Sequence, residues 1–254
     1  VLHFGLGKKN QVDSVRVVWQ SGKQQVISKG TGGRTLYLYE KDALSMYQKP
    51  KAARPVFSEI PSQMTAEQAK NNINDFTRQP LLVNSLSFSG PCMTKGDVNG
   101  DGLEDVFVGG GFKIPGTLFI QQKEGKFLGN QVPFMGDKEC EDTDAVFFDA
   151  NGDGFTDLYV ASGGYHNYGA GEFRQQDRLY LNDGKGNLSK AVNALPEMLA
   201  SKSCARVADF NGDGHPDVFV GGRVVAGRYP EPPKSFLLIN DGKGRFSDQI
   251  KKIA

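Results

Sequence analysis

Short runs of alternating apolar and polar residues, many closed by glycine, recur along the chain with the two-residue period of β-strands. Near the start, "DSVRVVW" and "QQVISKG" flank the turn "QSGK" and predict a hairpin, with "TLYLYE" as a third strand. Trp19 sits on this alternating segment and is expected in the core. Farther on, "PCMTKG", "DAVFF" and "CARVA" predict strands that each lead into a polar loop, and "DVFVGG", "DLYVASGG" and "DVFVGG" predict the strands that leave it. After a glycine-bounded connection come "TLFIQQKEGKF", "RLYLNDGKGNL" and "SFLLINDGKGRF", each a strand, a tight turn and the opening of another strand. Four short antiparallel strands every 52–60 residues is the pattern of a propeller blade. One helix is predicted, at "TAEQAKNNI", where Thr65 and Gln68 form a capping box.

The polar loops repeat more strictly than the strands. Their phrase is D-x-N-x-D-G-x-x-D, beginning at Asp97, Asp149 and Asp209. Side-chain oxygens at positions 1, 3, 5 and 9 and a backbone carbonyl at position 7 suit a hard cation, and the glycine at position 6 permits the sharp bend. The candidate ligands are Asp97, Asn99, Asp101, Leu103 and Asp105; Asp149, Asn151, Asp153, Phe155 and Asp157; and Asp209, Asn211, Asp213, His215 and Asp217. Carboxylates held this close repel one another, and a divalent ion removes that cost. An all-oxygen set favours Ca²⁺ over Mg²⁺, which gives up its water reluctantly. About three Ca²⁺ sites are therefore expected. An EF-hand would need an acidic residue at position 12 and a helix after it, but position 12 is Val108, Val160 or Val220 within a strand-forming run. The competing reading of a single loop is an Asx-rich turn without metal; three matched copies favour the ion.

Composition narrows the partners. Thirty Lys and Arg against 29 Asp and Glu leave a formal charge of +1 with no basic stripe, which argues against nucleic acid. No apolar stretch approaches the length of a membrane-spanning helix, so no membrane insertion is expected of this segment. Cys92, Cys140 and Cys204 lack the spacing of a zinc site. Cys92 and Cys204 lie at equivalent places five residues before their loops, with Cys140 expected nearest to one of them. One disulfide or three free thiols both fit.

The three repeats resemble the FG-GAP/VCBS repeats of integrin-like calcium-binding β-propellers over about residues 57–254. The segment "LHFGLGKKNQVDSVRVVWQSGKQQVISKGTGGRTLYLYE" resembles the end of an ASPIC/UnbV domain, with Gln20 where that family usually has proline. The resemblance implies an all-β fold: a partial propeller of four-stranded blades with calcium loops, preceded by a small β segment. The expected divisions are residues 1–48, a linker at 49–56 carrying "QKPKAARPV" in part, and blades at 57–254. Three blades do not close a ring, so the rest of a propeller is expected beyond Ala254 or from another chain, and the first segment reads as one that starts inside a domain.

A nucleophile elbow, HExxH, P-loop and dinucleotide signature are all missing from the sequence, and a non-enzymatic role is expected. The acidic run "GDKECEDTD" reads as a solvated loop rather than paired glycosidase carboxylates. Strand alternation puts the ion loops and the "NDGKG" turns on one face and the longer connections on the other. That second face carries Tyr165, His166, Tyr168, Phe173, Arg174, Arg223, Arg228 and Tyr229, a mixture suited to a ligand surface. The expected function is a calcium-stabilised binding or adhesion module for an extracellular protein or glycan. Its expected place is the cell surface or outside the cell, the periplasm included. The rivals are a polysaccharide-acting enzyme and an architectural spacer.

Overall fold

The computed structural model describes residues 2–49, 57–59, 61–67, 73–87, 90–165 and 168–253. The chain divides into two compact units, residues 1–60 and 61–254. The expected linker at 49–56 lies almost wholly outside the described residues.

The first unit is a three-stranded antiparallel sheet of β1 (Gln11–Val18), β2 (Lys23–Thr31) and β3 (Ser45–Met46), in the order β1-β2-β3. The hairpin forms where the alternation predicts it, turning at Gly22, whose φ of 86° suits glycine. "TLYLYE" does not become the third strand. It carries no ladder, Tyr37 is 78% exposed, and the short β3 pairs with the start of β2 instead. Propensity alone did not hold this run in a sheet, because among the described residues no neighbouring strand offers it a ladder. Trp19 is half-buried.

The second unit holds three four-stranded antiparallel sheets. The first is β4 (Met93–Gly96), β5 (Asp105–Val108), β6 (Thr117–Gln121) and β7 (Phe127–Asn130). The second is β8 (Asp142–Phe148), β9 (Asp157–Ser162), β10 (Arg178–Asn182) and β11 (Leu188–Lys190). The third is β12 (Ser201–Ala208), β13 (Asp217–Val224), β14 (Phe236–Asn240) and β15 (Phe246–Asp248). Each runs in chain order, the meander of a propeller blade. First strands lie side by side, β8 against both β4 and β12.

Apolar residues of facing sheets fill the spaces between blades. Phe107 and Leu118 of the first meet Leu158, Val160 and Tyr180 of the second, bridged by Phe134 with ring centroids 5.0 Å from both Phe107 and Tyr180. Tyr159 and Leu179 of the second meet Val218, Val220 and Leu238 of the third. Each such side chain, fully withdrawn from water, contributes about 1.5–3 kcal/mol.

The capping-box helix falls partly on residues outside the described ones; Thr65 to Glu67 are not helical. The described helix α1 is Asp75–Arg78, with the Asn74 side chain accepting the Phe76 amide.

Candidate functional site

The three polar loops share one hydrogen-bonded form. At position 1, Asp97 accepts the amides of Gly100 at 2.7 Å and Gly102 at 2.8 Å; Asp149 and Asp209 do the same in their loops. The asparagine at position 3 accepts the amide of position 5 and donates its own Nδ2 to that aspartate, at 3.1, 2.8 and 2.7 Å along the chain. Position 5 then accepts the amide of Leu103, Phe155 or His215 at 2.8–2.9 Å. These Asx turns wind each loop tightly.

Position 9 differs, because it begins a buried strand. Asp105, Asp157 and Asp217 are fully buried. One oxygen of each accepts the amide of position 2, and the other accepts Gln121, Asn182 or Asn240 at 2.8 Å from the third strand. Burial, reinforced by Asp153 and Asp149, pushes the Asp157 carboxyl up to about 6, and burial with Asp101 and Asp97 raises Asp105. Among the described residues no group of three acidic, histidine or cysteine side chains converges as a metal site would. The donors are nonetheless all oxygen, and each carboxylate oxygen engaged by one amide retains a second lone pair. The residue chemistry therefore fits a hard cation.

Two residues of the turns tie neighbouring blades together, and nothing in their local pattern beyond turn propensity marks them. Asn182 is 5% exposed; its Nδ2 donates to Val98 O at 2.7 Å in the preceding blade's loop and to Thr156 O at 2.9 Å in its own. Its Oδ1 accepts the amides of Gly184 and Gly186 at 3.1 and 3.2 Å. Asn240 repeats the arrangement, reaching Ala150 O at 2.9 Å and Pro216 O at 3.0 Å. Loops and turns thus share one face. A Cβ added at Gly184 would lie 2.5 Å from the Phe155 ring, and one at Gly242 would lie 2.6 Å from the His215 ring. Those position-7 side chains fold over their own turns.

The opposite face differs from the expected ligand surface. Tyr165 and Tyr168, expected at the surface, are fully buried. Tyr168 donates its hydroxyl to Glu139 O at 2.7 Å, and Tyr165 donates to Gln79 Oε1 at 2.5 Å. The reason is a segment around α1 that packs over them. Arg78 stacks on the Tyr165 ring and donates to the carbonyls of both tyrosines, at 2.7 Å and 2.5 Å. Leu82 joins Tyr165, Val224 and Ala226 in a small apolar cluster. Asp75, itself buried, fixes the segment by accepting the Leu86 and Ser87 amides and the Ser85 and Ser87 hydroxyls. Arg174 covers Tyr168 and pairs with Glu172. Arg223 lies near Glu141, where burial lowers its pKa and the carboxylate opposes that shift. Arg228 pairs with Glu231 at 3.3 Å, Tyr229 is 37% exposed, and Phe173 is 75% exposed. His166 lies outside the described residues.

The acidic run at 136–144 is not a solvated loop. Asp142 pairs with Arg178 at 2.6 Å, both side chains 4% exposed. Asp137 holds Lys190 and the Tyr180 hydroxyl, and Asp144 holds Arg206 and the Ala205 amide. Glu141 is half-buried, and desolvation raises its carboxyl to about 7 despite Arg223 and a hydrogen bond from the Tyr165 backbone. A second buried pair, Lys202 with Asp177 at 2.8 Å, links the second and third blades. All three cysteines are free. Burial pushes the Cys92 thiol up to about 12, and a Cβ on Gly109 or Gly221 would strike Cys92 or Cys204, so these two do occupy equivalent places.

A model of the FG-GAP-like repeat matches residues 97–160 and again 149–220, and the ASPIC and UnbV model matches residues 1–45. No curated protein matches the chain. A solved structure of a lectin from Agrocybe aegerita, described by its specific recognition of non-reducing terminal N-acetylglucosamine, is similar at 22% identity with a TM-score of 0.40. The match covers 61% of this chain and only 36% of the lectin, a likeness too slight to transfer fold or ligand. The repeat match spans the three loops, and the three sheets around them have the order of propeller blades. Residues 97–220 therefore belong to the FG-GAP-like repeat family, and residues 1–45 form an ASPIC and UnbV segment.

Proposed function

We propose that this chain is a calcium-stabilised binding module rather than an enzyme, acting at a cell surface or outside the cell. Its ligand, a protein or a glycan, would meet the face of long connections, remote from the ions. Repeats of this kind are typical of surface and extracellular proteins. The observation that carries the reading is the threefold recurrence of one loop. Each loop carries a buried position-9 carboxylate and two further aspartates within nine residues, and in the second loop burial and those aspartates disfavour the charge of the buried group. A bound cation would relieve that repulsion. Positions 1, 3, 5 and 9 would supply side-chain oxygens, and Leu103, Phe155 and His215 would supply carbonyls.

Melting in calcium, in excess chelator and in Mg²⁺ tests the ion half of the proposal. At ~1 mM free calcium and a Kd of ~0.1 mM each site adds roughly 1.4 kcal/mol by mass action. The melting temperature should fall in chelator and recover poorly with Mg²⁺; an unchanged curve sinks the calcium reading. Protein and glycan arrays test the other half. Substituting the exposed Phe173 and Tyr229 with alanine should reduce capture while the calcium-dependent melting shift persists. Capture that survives this pair but disappears with Asp153→Ala in a folded protein would make the ion face the binding face.

A further inference from the structure

Between the β9–β10 and β13–β14 connections lies an open cleft of about 380 Å³, within the range of small-ligand sites. Gln175 and Ser201 line it, and each is 1% exposed. Neither Nε2 nor Oε1 of Gln175 has a hydrogen-bond partner among the described residues, and neither does the Ser201 hydroxyl. Leaving a buried carboxamide and hydroxyl unanswered is costly, so such groups call for a partner. The fold uses the backbone of Gln175, not its side chain: its amide donates to Glu172 O at 2.9 Å, and its carbonyl accepts Lys202 Nζ.

The surroundings of these groups select a ligand. Leu199, Ala200, Val224 and Ala226 give the cleft small aliphatic walls, and among the described residues no aromatic ring lines it to carry a sugar ring. The charges at its edge are answered within the chain, Arg228 by Glu231 at 3.3 Å and Lys234 by Asp248 at 2.9 Å. A charged ligand therefore gains little there. In an extended peptide the N–H and C=O of one residue point to the same side, and together they complement a carboxamide in both senses.

We infer that this cleft binds an uncharged, extended peptide segment, its backbone paired with Gln175 and Ser201 and a small aliphatic side chain against the wall. This deepens the reading of the long-connection face as the ligand face, and rests on it, by committing the cleft to peptide.

The test is an NMR titration of the calcium-loaded chain with N-acetyl-valyl-alanine amide, beside a parallel titration with methyl β-glucoside. The peptide should give saturable shifts at the Gly171, Ala200 and Ala226 amides, and the glucoside none. Gln175→Leu should weaken the peptide about tenfold, the worth of a good buried hydrogen-bond pair. The same variant should melt no lower than the parent, because an apolar isostere replaces an amide that the fold leaves unpartnered. Ser201→Ala should weaken the peptide more mildly without altering the fold. A melting temperature lowered by Gln175→Leu would overturn the inference, since the amide would then belong to the fold's own hydrogen bonding. Saturation by the glucoside, or by neither probe, would overturn it as well. If the peptide fails while an array ligand still needs Phe173 and Tyr229, only the cleft assignment falls. If no ligand of any class depends on that face, the parent reading falls with it.

Discussion

Asn182 offers the sharpest test of how the blades are joined. Replacing it with alanine deletes four hydrogen bonds, to Val98 O, Thr156 O and the amides of Gly184 and Gly186. The bonds to Val98 O and Gly186 are buried, so those two partners would lose that answer in a place that water reaches poorly. At about 1–2 kcal/mol for each stranded buried group, with little from the half-exposed pair, Asn182→Ala should cost roughly 3 kcal/mol. For a unit of this size that corresponds to a fall of about 6–12 °C in Tm. Urea denaturation followed by fluorescence gives the loss directly, in calcium and in chelator. Asn182→Asp keeps the acceptor and turns a carboxylate toward two carbonyls, so it should be at least as damaging. Asn187→Ala, which removes an exposed bond to Asp183 in the same turn, is the control and should change stability by less than about 0.5 kcal/mol. A cost below that value for Asn182→Ala would refute the latch.

Three further outcomes follow from buried groups. Burial raises the folded pKa of Glu141 to about 7 from the ordinary 4.5, so the folded state binds the extra proton between those values. Stability should therefore decline as pH rises through that window, by an amount on the order of 1–3 kcal/mol. Glu141→Gln should flatten that part of the difference curve and stabilise the protein at pH 8; parallel wild-type and variant curves would contradict the assignment. Arg178→Met strands buried Asp142 and should cost about 3–5 kcal/mol in chemical denaturation, with Asp142→Asn in the same chain recovering part of it. Gly221→Ala places a Cβ 2.7 Å from Cys204 Sγ with nothing else nearer than 3.8 Å, so it should cost about 1–3 kcal/mol, and adding Cys204→Ala should restore most of it in the same assay.

The local pattern determined much of this protein. Period-two alternation and glycine boundaries located the blade strands, and the repeated D-x-N-x-D-G-x-x-D phrase located the three loops between first and second strands. Both are short-range properties: strand periodicity depends on adjacent residues, and an Asx-wound loop is built from bonds within nine positions. "TLYLYE" shows where that logic stops, since a strand needs a neighbour and its alternation found none. Tertiary structure decided which charges and rings are interior. Asp142 and Arg178 are 36 positions apart and meet only because β8 and β10 of the second blade both pair with β9. Tyr165 and Tyr168 look like surface residues in a glycine-rich loop until Arg78, some 90 positions earlier, folds over them. The latch from Asn182 to Val98 spans 84 positions, and no local pattern distinguishes its asparagine from an ordinary turn residue. Burial is set by what packs against a group, and in a stacked-blade fold that neighbour is a whole repeat away in sequence.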